Sequence, residues 1–214
     1  MKLLIAVPTY DYIHYQFVEC LTKFLRRLDS DGVDYELSLQ GGTLVYVGRD
    51  KLAKRAIDGG FTHTLWIDSD MIFTEDLLDD LMFCGKPFVS GIAHSRRSPH
   101  VSCLFKQIWP MVDRWEGHEY PASAFKVGGC GFGCVLLHTD VIRAVWMANG
   151  TAFFPMRELG EDLAFCKRAT DLGFEIWAEP SVWLGHIGHV TIYPEYQDEY
   201  GKGIENFERV IKHA

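Results

Sequence analysis

Asp68-Ser69-Asp70 is the sharpest chemical feature of the sequence. Two carboxylates one residue apart supply the hard oxygen ligands that a divalent cation such as Mn2+ or Mg2+ takes. A cation held there can bridge a pyrophosphate and neutralise the charge that grows as a diphosphate leaves. Asp and Ser are also turn and capping residues, so the triplet alone reads as a plain turn too. Its position directly after Thr64-Leu65-Trp66-Ile67, a buried-strand pattern, favours the ligand site.

Three further segments carry reactive groups. In Gly160-Glu161-Asp162-Leu163, a carboxylate at a helix start can face a pocket and accept a proton from a hydroxyl. Acids are favoured at helix N-termini in any case, which is the simpler explanation of that pair taken alone. Trp183-Leu184-Gly185-His186-Ile187-Gly188-His189 offers two imidazoles, either of which can add a nitrogen to a metal shell or serve packing. Gly128-Gly129-Cys130-Gly131-Phe132-Gly133 lets backbone come close to a ligand. No Gly-Lys-Ser/Thr follows it, so it is not a P-loop, and a tight bend is its default reading.

These groups need a scaffold, and the first half of the chain reads as alternating strands and helices. Leu3 to Val7 is a continuous apolar run, as in a strand buried on both faces. Phe17, Leu21, Phe24, Leu25 and Leu28 form one stripe of a helix. Tyr35, Leu37 and Leu39 alternate as a second strand, and Arg49 to Ile57 reads as a helix closed by Gly59-Gly60. Thr64 to Ile67 is the third strand, Thr74 is expected to cap the next helix, and Pro87 to Ile92 is a fourth strand. Residues 95 to 126 show no clear periodicity and read as loops and mixed structure. Cys134 to Leu137 is an apolar strand, and helices follow from Thr139 to Ala148 and from Asp162 to Leu172. Phe174 to Ala178 is a late strand, and Ile204 to His213 reads as a short surface helix.

That alternation predicts an α/β fold, a Rossmann-like, mostly parallel central sheet with helices on both faces in a single domain. Ligands in such sheets bind beyond the carboxyl ends of the strands. Tyr10, Gln40, Asp68 and His94 each follow a strand pattern and can converge on that edge.

Composition narrows the classes. A chain of 214 residues, 48% hydrophobic and 23% charged, is that of an ordinary globular domain. The net charge of -8 speaks against a broad nucleic-acid-binding surface, which depends on Lys and Arg. No apolar run approaches the roughly 20 residues of a membrane span, and the opening apolar run stops at Pro8, so it reads as a strand rather than a signal peptide. The six cysteines form no C-x-x-C pair, which suits free thiols in a reducing cytosol and a cytoplasmic location.

The order Val7-Pro8-Thr9-Tyr10, Arg49-Asp50, Leu65-Trp66-Ile67-Asp68-Ser69-Asp70, Gly131-Phe132-Gly133, Gly160-Glu161-Asp162 and His186-Ile187-Gly188 resembles the GT-A glycosyltransferases, and within them the large inverting, family 2-like class. The resemblance spans nearly the whole chain. It implies transfer of a sugar from a nucleotide-sugar donor, UDP-linked, to an acceptor hydroxyl, with Mn2+ or Mg2+. It assigns the metal to Asp68, Asp70 and His186, and the catalytic base to Asp162 with Glu161 beside it. Donor contacts would come from Pro8, Thr9, Tyr10, Gln40, Arg49, Asp68, Ser69 and Gly131. Residues 1–94 would form the nucleotide-sugar half and residues 95–214 the acceptor half. The acceptor is open: a glycan, a protein side chain, a lipid carrier or a modified nucleobase.

Two positions depart from the pattern. Gln40-Gly41-Gly42 stands where an acidic residue often holds the base or ribose, and Asp50 stands where Asn commonly follows the arginine. A nucleotidyltransferase would share the scaffold, but Pro8-Thr9-Tyr10-Asp11 lacks the Gly-rich, basic signature loop of such enzymes. A non-catalytic sugar-binding module is the other alternative, against which Asp68, Asp70, Asp162 and His186 stand together in one chain.

Overall fold

A computed structural model describes residues 1–10 and 12–188; His189 and the helix expected at 204–213 lie outside them. The elements run β1 (Lys2–Pro8), α1 (Tyr15–Ser30), β2 (Asp34–Gln40), α2 (Val45–Asp58), β3 (His63–Ile67), β4 (Met71–Ile72), α3 (Leu77–Phe83) and β5 (Phe88–Ile92). There follow β6 (Leu104–Gln107), β7 (Asp113–Arg114), a 3-10 turn at Gly117–Glu119, β8 (Phe125–Val127), β9 (Gly129–Cys130) and β10 (Cys134–His138). The described part closes with α4 (Thr139–Asn149), α5 (Glu161–Asp171), β11 (Ile176–Trp183) and β12 (Gly185–His186).

Seven strands make the central sheet in the order β2-β1-β3-β10-β5-β11-β8. β2, β1, β3, β5 and β11 run one way, and β10 and β8 run against them. The sheet is therefore mixed, with its parallel part broken by β10 between β3 and β5. Two small ribbons flank it, β12-β4 and β7-β6-β9. In the second, β6 and β7 come from the stretch whose sequence has no periodicity, and β9 from the glycine-rich segment after it.

Strand alternation divides the core into two layers. Leu4 and Ala6 of β1 and Trp66 of β3 join the helices α2, α4 and α5 on one face. Leu3, Ile5, Val7, Leu65 and Ile67 face α1 and α3 on the other. α4 ends where the sequence predicts, because Gly150 takes a left-handed φ of 71° and its N–H caps the Trp146 carbonyl.

The start of α3 differs from expectation. Thr74 only closes a backbone turn to Leu77, and the helix begins at Leu77 with Asp76 as its cap residue. The reason is tertiary: β4 is drawn into a ribbon with β12, and the Phe73 ring is packed edge-on between Phe17 and Phe24 of α1. The late strand is also longer than predicted and starts later, at Ile176, with a register break between Ala178 and Trp183. Among the described residues, no helix is long and apolar enough to cross a membrane.

Candidate functional site

β3 delivers Asp68 to the carboxyl edge of the sheet, where its N–H donates to the Gly133 carbonyl at 3.1 Å. A turn closes from the Met71 N–H back to the Asp68 carbonyl, and β4 then pairs antiparallel with β12, Met71 opposite His186. The Ile187 N–H donates to the Asp70 carbonyl at 2.8 Å. This short ribbon brings His186 to Asp70 across more than a hundred residues of chain. His186 Nε2 lies 3.4 Å from Asp70 Oδ2.

The tautomer of His186 follows from its other contact. Nδ1 is 2.8 Å from the His94 carbonyl, which can only accept, so Nδ1 carries the proton. In the neutral ring, Nε2 then presents a lone pair toward a carboxylate oxygen. Two acceptors so placed call for a proton or a cation between them. The Asp70 carboxyl sits below the usual carboxylate range: burial pushes it up, but the His186 hydrogen bond and the charges of His186 and Arg96 outweigh that. His186 is raised in turn, burial being outweighed by Asp70. The His94 ring is buried and held neutral, pushed down to about 4 by burial.

Arg49 is the hub of the other half of the site. It is 2% exposed, and its Nη2 donates to Asp68 Oδ1 at 2.9 Å. The same nitrogen lies 3.5 Å from Asp162 Oδ1, and its Nε lies 3.9 Å from Glu161 Oε1. The guanidinium carbon lies over the rings of Phe132 and Phe153 at 5.4 and 5.9 Å. One buried cation thus faces three carboxylates. Asp68 is pushed up to about 7, chiefly by burial, with the charges of Asp162 and Asp70 adding to it and Arg49 opposing it. Glu161 is raised by burial and by Asp162. Arg49 Nε and Nη1 and Asp162 Oδ1 have no hydrogen-bond partner among the described residues.

Asp50, the departure noted next to Arg49, has a structural task. Its carboxylate accepts from the Thr151 hydroxyl and from the N–H groups of Ala152 and Phe153, at 2.9 and 2.7 Å for the latter two. It fixes the loop that sets the Phe153 ring beneath Arg49.

Two hollows open at this edge and share Asp68. The larger, 310 Å³, is lined by Pro8, Thr9, Tyr10, Gln40, Ser69, Asp70 and Arg96. The Ser69 hydroxyl donates to Thr9 Oγ1 at 3.2 Å, tying the β3 turn to the loop after β1. The smaller, 100 Å³, holds Asp162, His186, Gly131 and Cys103. A Cβ on Gly131 would stand 3.3 Å from Cys103 Cβ and 3.9 Å from Asp162 Oδ2, so the glycine keeps that recess open. The predicted residues therefore gather, with two differences of position. Arg49 is buried and lines neither hollow, and Gly131 lies on the Asp162 side instead of in the larger cleft. Arg96 and Cys103 are site residues that sequence reasoning missed. Nothing local marks either one, since Arg96 meets Asp70 across 26 residues.

Among the described residues, no three His, Cys, Asp or Glu side chains are gathered into a metal shell. The donor types present are nonetheless those that a hard divalent cation takes. Two carboxylates and an imidazole with a directed Nε2 lone pair suit Mn2+ or Mg2+, and the His94 carbonyl orients that imidazole as outer partners of metal ligands do. A guanidinium, Arg96 Nη1, stands 2.5 Å from Asp70 Oδ2, so the carboxylate already draws a positive charge.

No protein-family profile matches the chain. It is 24% identical over 202 residues to the mannan polymerase complex subunit MNN9 of Candida albicans, covering 75% of this chain. The match covers 53% of that relative, so the chain spans about half its length. Among solved structures, the protein A197 from STIV superposes with a TM-score of 0.65 at 16% identity, over 97% of this chain and 100% of that one. The catalytic domain of Drosophila beta1,4galactosyltransferase 7, in complex with xylobiose, gives 0.51 at 13% identity, over 99% of this chain and 78% of that one. A mutant of the same Drosophila enzyme, in complex with manganese, UDP-Gal and xylobiose, gives 0.50 at 10% identity, over 100% and 79%. The fold is glycosyltransferase-like, a single α/β domain of the GT-A type.

Proposed function

We propose that the chain is a glycosyltransferase that moves a sugar from a UDP-linked donor to an acceptor hydroxyl with inversion at the anomeric carbon. The observation that carries this is the meeting of Asp68, Asp70, Asp162 and His186 around two adjoining hollows at the carboxyl edge of the sheet. The larger hollow, at 310 Å³, is within the range of roughly 300–1,000 Å³ typical of small-molecule sites. Apart from Arg96, its lining comes from residues before 94, which supports a donor half at 1–94 and an acceptor half beyond it.

In this scheme Pro8, Thr9, Tyr10 and Gln40 bound the nucleoside, and Ser69 braces the loop beside it. Asp68, Asp70 and His186 would hold Mn2+ or Mg2+, which supplies charge neutralisation at the diphosphate. Asp162 takes the proton of the acceptor hydroxyl. The acceptor oxygen then bonds to the anomeric carbon on the face opposite the diphosphate, whose C–O bond breaks with the electron pair leaving on oxygen. Glu161 and Arg49 position Asp162 and Asp68. A glycan hydroxyl is the acceptor we favour, since the Drosophila enzyme is in complex with xylobiose and the Candida relative is named as a subunit of a mannan polymerase complex.

The test is nucleoside diphosphate release, measured with UDP-hexoses and with nucleotide-activated mannose in Mn2+ or Mg2+. Release with one donor class, stopped by chelator, is expected. Pyrophosphate release from a nucleoside triphosphate and a sugar phosphate, with no diphosphate from any nucleotide-sugar, would establish a nucleotidyltransferase instead.

A further inference from the structure

Arg96 is the one Lys or Arg among the described residues lining the large cleft, whose other charged groups are Asp68 and Asp70. It rides on a loop that closes on itself without using the Arg96 side chain. The Ser95 N–H donates to the Val101 carbonyl at 2.8 Å, and the Ser95 hydroxyl reaches the carbonyls of Arg97 and Pro99 at 3.0 and 3.2 Å. The loop base is the His94–Ser102 bridge, and the His94 carbonyl is the same one that orients His186. The Arg96 side chain is 47% exposed, so its guanidinium can swing while the loop stays closed.

Asp70 Oδ2 cannot serve every partner at once. It lies 2.5 Å from Arg96 Nη1 and 3.4 Å from His186 Nε2, so a divalent ion shared by Asp70 and His186 would bring a second positive charge to the carboxylate that Arg96 holds. Two positive charges a few ångströms apart repel, so a bound ion would weaken the hold of Asp70 on Arg96. A released Arg96 side chain would stay tethered in the cleft lining, where a diphosphate would bring negative charge. Arg49 does not line that cleft and, buried, already faces three carboxylates. A guanidinium binds phosphate oxygens in a planar, two-pronged manner.

We infer that Arg96 is a partner-switching cation of this site: it pairs with Asp70, as in this structure, and passes to the diphosphate once a divalent ion has taken that carboxylate. This rests on the nucleotide-sugar reading above, and it makes Arg96 a competitor of the metal and a helper of the nucleotide in one side chain. A residue serving only as an ion pair to Asp70 would compete with the metal and leave nucleotide binding unchanged.

The two roles predict shifts of opposite sign in one variant. Mn2+ binding without nucleotide, and UDP and GDP binding at saturating Mn2+, are measured by calorimetry on the wild type, Arg96→Gln, Arg96→Lys and Arg97→Gln. Arg96→Gln should bind Mn2+ alone about fivefold more tightly, the scale of one exposed ion pair removed. It should bind the nucleotide diphosphate about tenfold more weakly, the scale of a charge-assisted contact. Arg96→Lys should fall between the wild type and Arg96→Gln on both axes, and Arg97→Gln should match the wild type. If the wild type binds both Mn2+ and nucleotide but Arg96→Gln does not shift them oppositely, the switch is wrong while the donor site stands. If the wild type binds neither, the donor site and the switch fall together.

Discussion

Both ends of β3 carry ionisable groups, and only one end is built to hold something. At the entry, His63 is paired in register with His138 of β10, their rings edge-on with centroids 5.0 Å apart. The charges there are met by neighbours along the chain: Asp140 takes His138 at 3.3 Å and Arg143 one helical turn on. At the exit, Asp68 and Asp70 meet Arg49, Arg96, Glu161, Asp162 and His186, drawn from four other stretches of chain. Four carboxylates face two guanidiniums there, an excess of two negative charges before the imidazole is counted. Local pairing leaves the entry complete in itself. Long-range assembly leaves the exit short of positive charge and open to a cation and its anionic ligand.

Removing chemistry from the exit should give the largest effects. Asp162→Asn keeps the shape and much of the hydrogen bonding, so calorimetric donor affinity should survive while transfer falls by roughly two or more orders of magnitude. Equal losses in both would make Asp162 a binding residue and Glu161 the next candidate base. Asp70→Ala should abolish turnover together with its dependence on added Mn2+, while the folded circular dichroism spectrum is kept. Wild-type activity persisting in excess chelator would remove the metal from the scheme altogether.

A smaller effect tests how the exit is held. Arg49→Met deletes the buried cation and leaves Asp68, Asp162 and Glu161 facing one another across apolar rings. Breaking such a buried pair costs about 3–5 kcal/mol, read as a drop in urea midpoint. Arg49→Lys should recover only part of it, since an ammonium cannot contact all three carboxylates and stack on Phe132 and Phe153 at once. A midpoint within error of wild type for Arg49→Met would show that the carboxylates are held by something other than this hub.

The contrast between the two ends also explains what the sequence makes visible. β1, β3 and α1 are legible because burial on one or both faces imposes a run or a period on consecutive residues: Leu3 to Val7, Thr64 to Ile67, the stripe Phe17 to Leu28. The Asp68-Ser69-Asp70 turn is legible because it abuts such a run. The insertion of β10 against the direction of its neighbours is not, because strand order is decided by contacts between segments far apart in sequence. β4 and β12 are two-residue strands, too short to carry any period, yet they join His186 to Asp70. Asp50 looks like a deviation in the sequence and proves to be a loop anchor in space. Arg96 sits in an aperiodic stretch, and only the closed loop from Ser95 to Val101 shows where its side chain can reach.

The smallest expected effect belongs to the entry, and pH reads it. His63 is partly buried at the sheet edge, and its pKa is lowered by that burial, by His138 opposite it and by the N-terminal amine. A histidine whose folded pKa lies below its unfolded value, near 6.5, binds fewer protons when folded. Stability from this group is therefore fully present above about 6.5 and is lost as pH falls below it. Asp68 acts in the opposite sense: its folded pKa of about 7 exceeds the unfolded 3.8, so acidification through that window favours the folded form. The whole-protein pH profile mixes the two, and the informative quantity is the difference between wild type and a single variant. His63→Gln keeps a polar side chain at the strand start and cannot be protonated. Urea midpoints at pH 7.5 and pH 5.5, with chelator present throughout, should fall less on acidification for His63→Gln than for wild type. The gain should be modest, because His63 is only partly buried and solvent screens it. Identical acid losses in the two proteins would mean that the entry end carries no pH-dependent strain, and that the asymmetry between the two ends lies wholly at the exit.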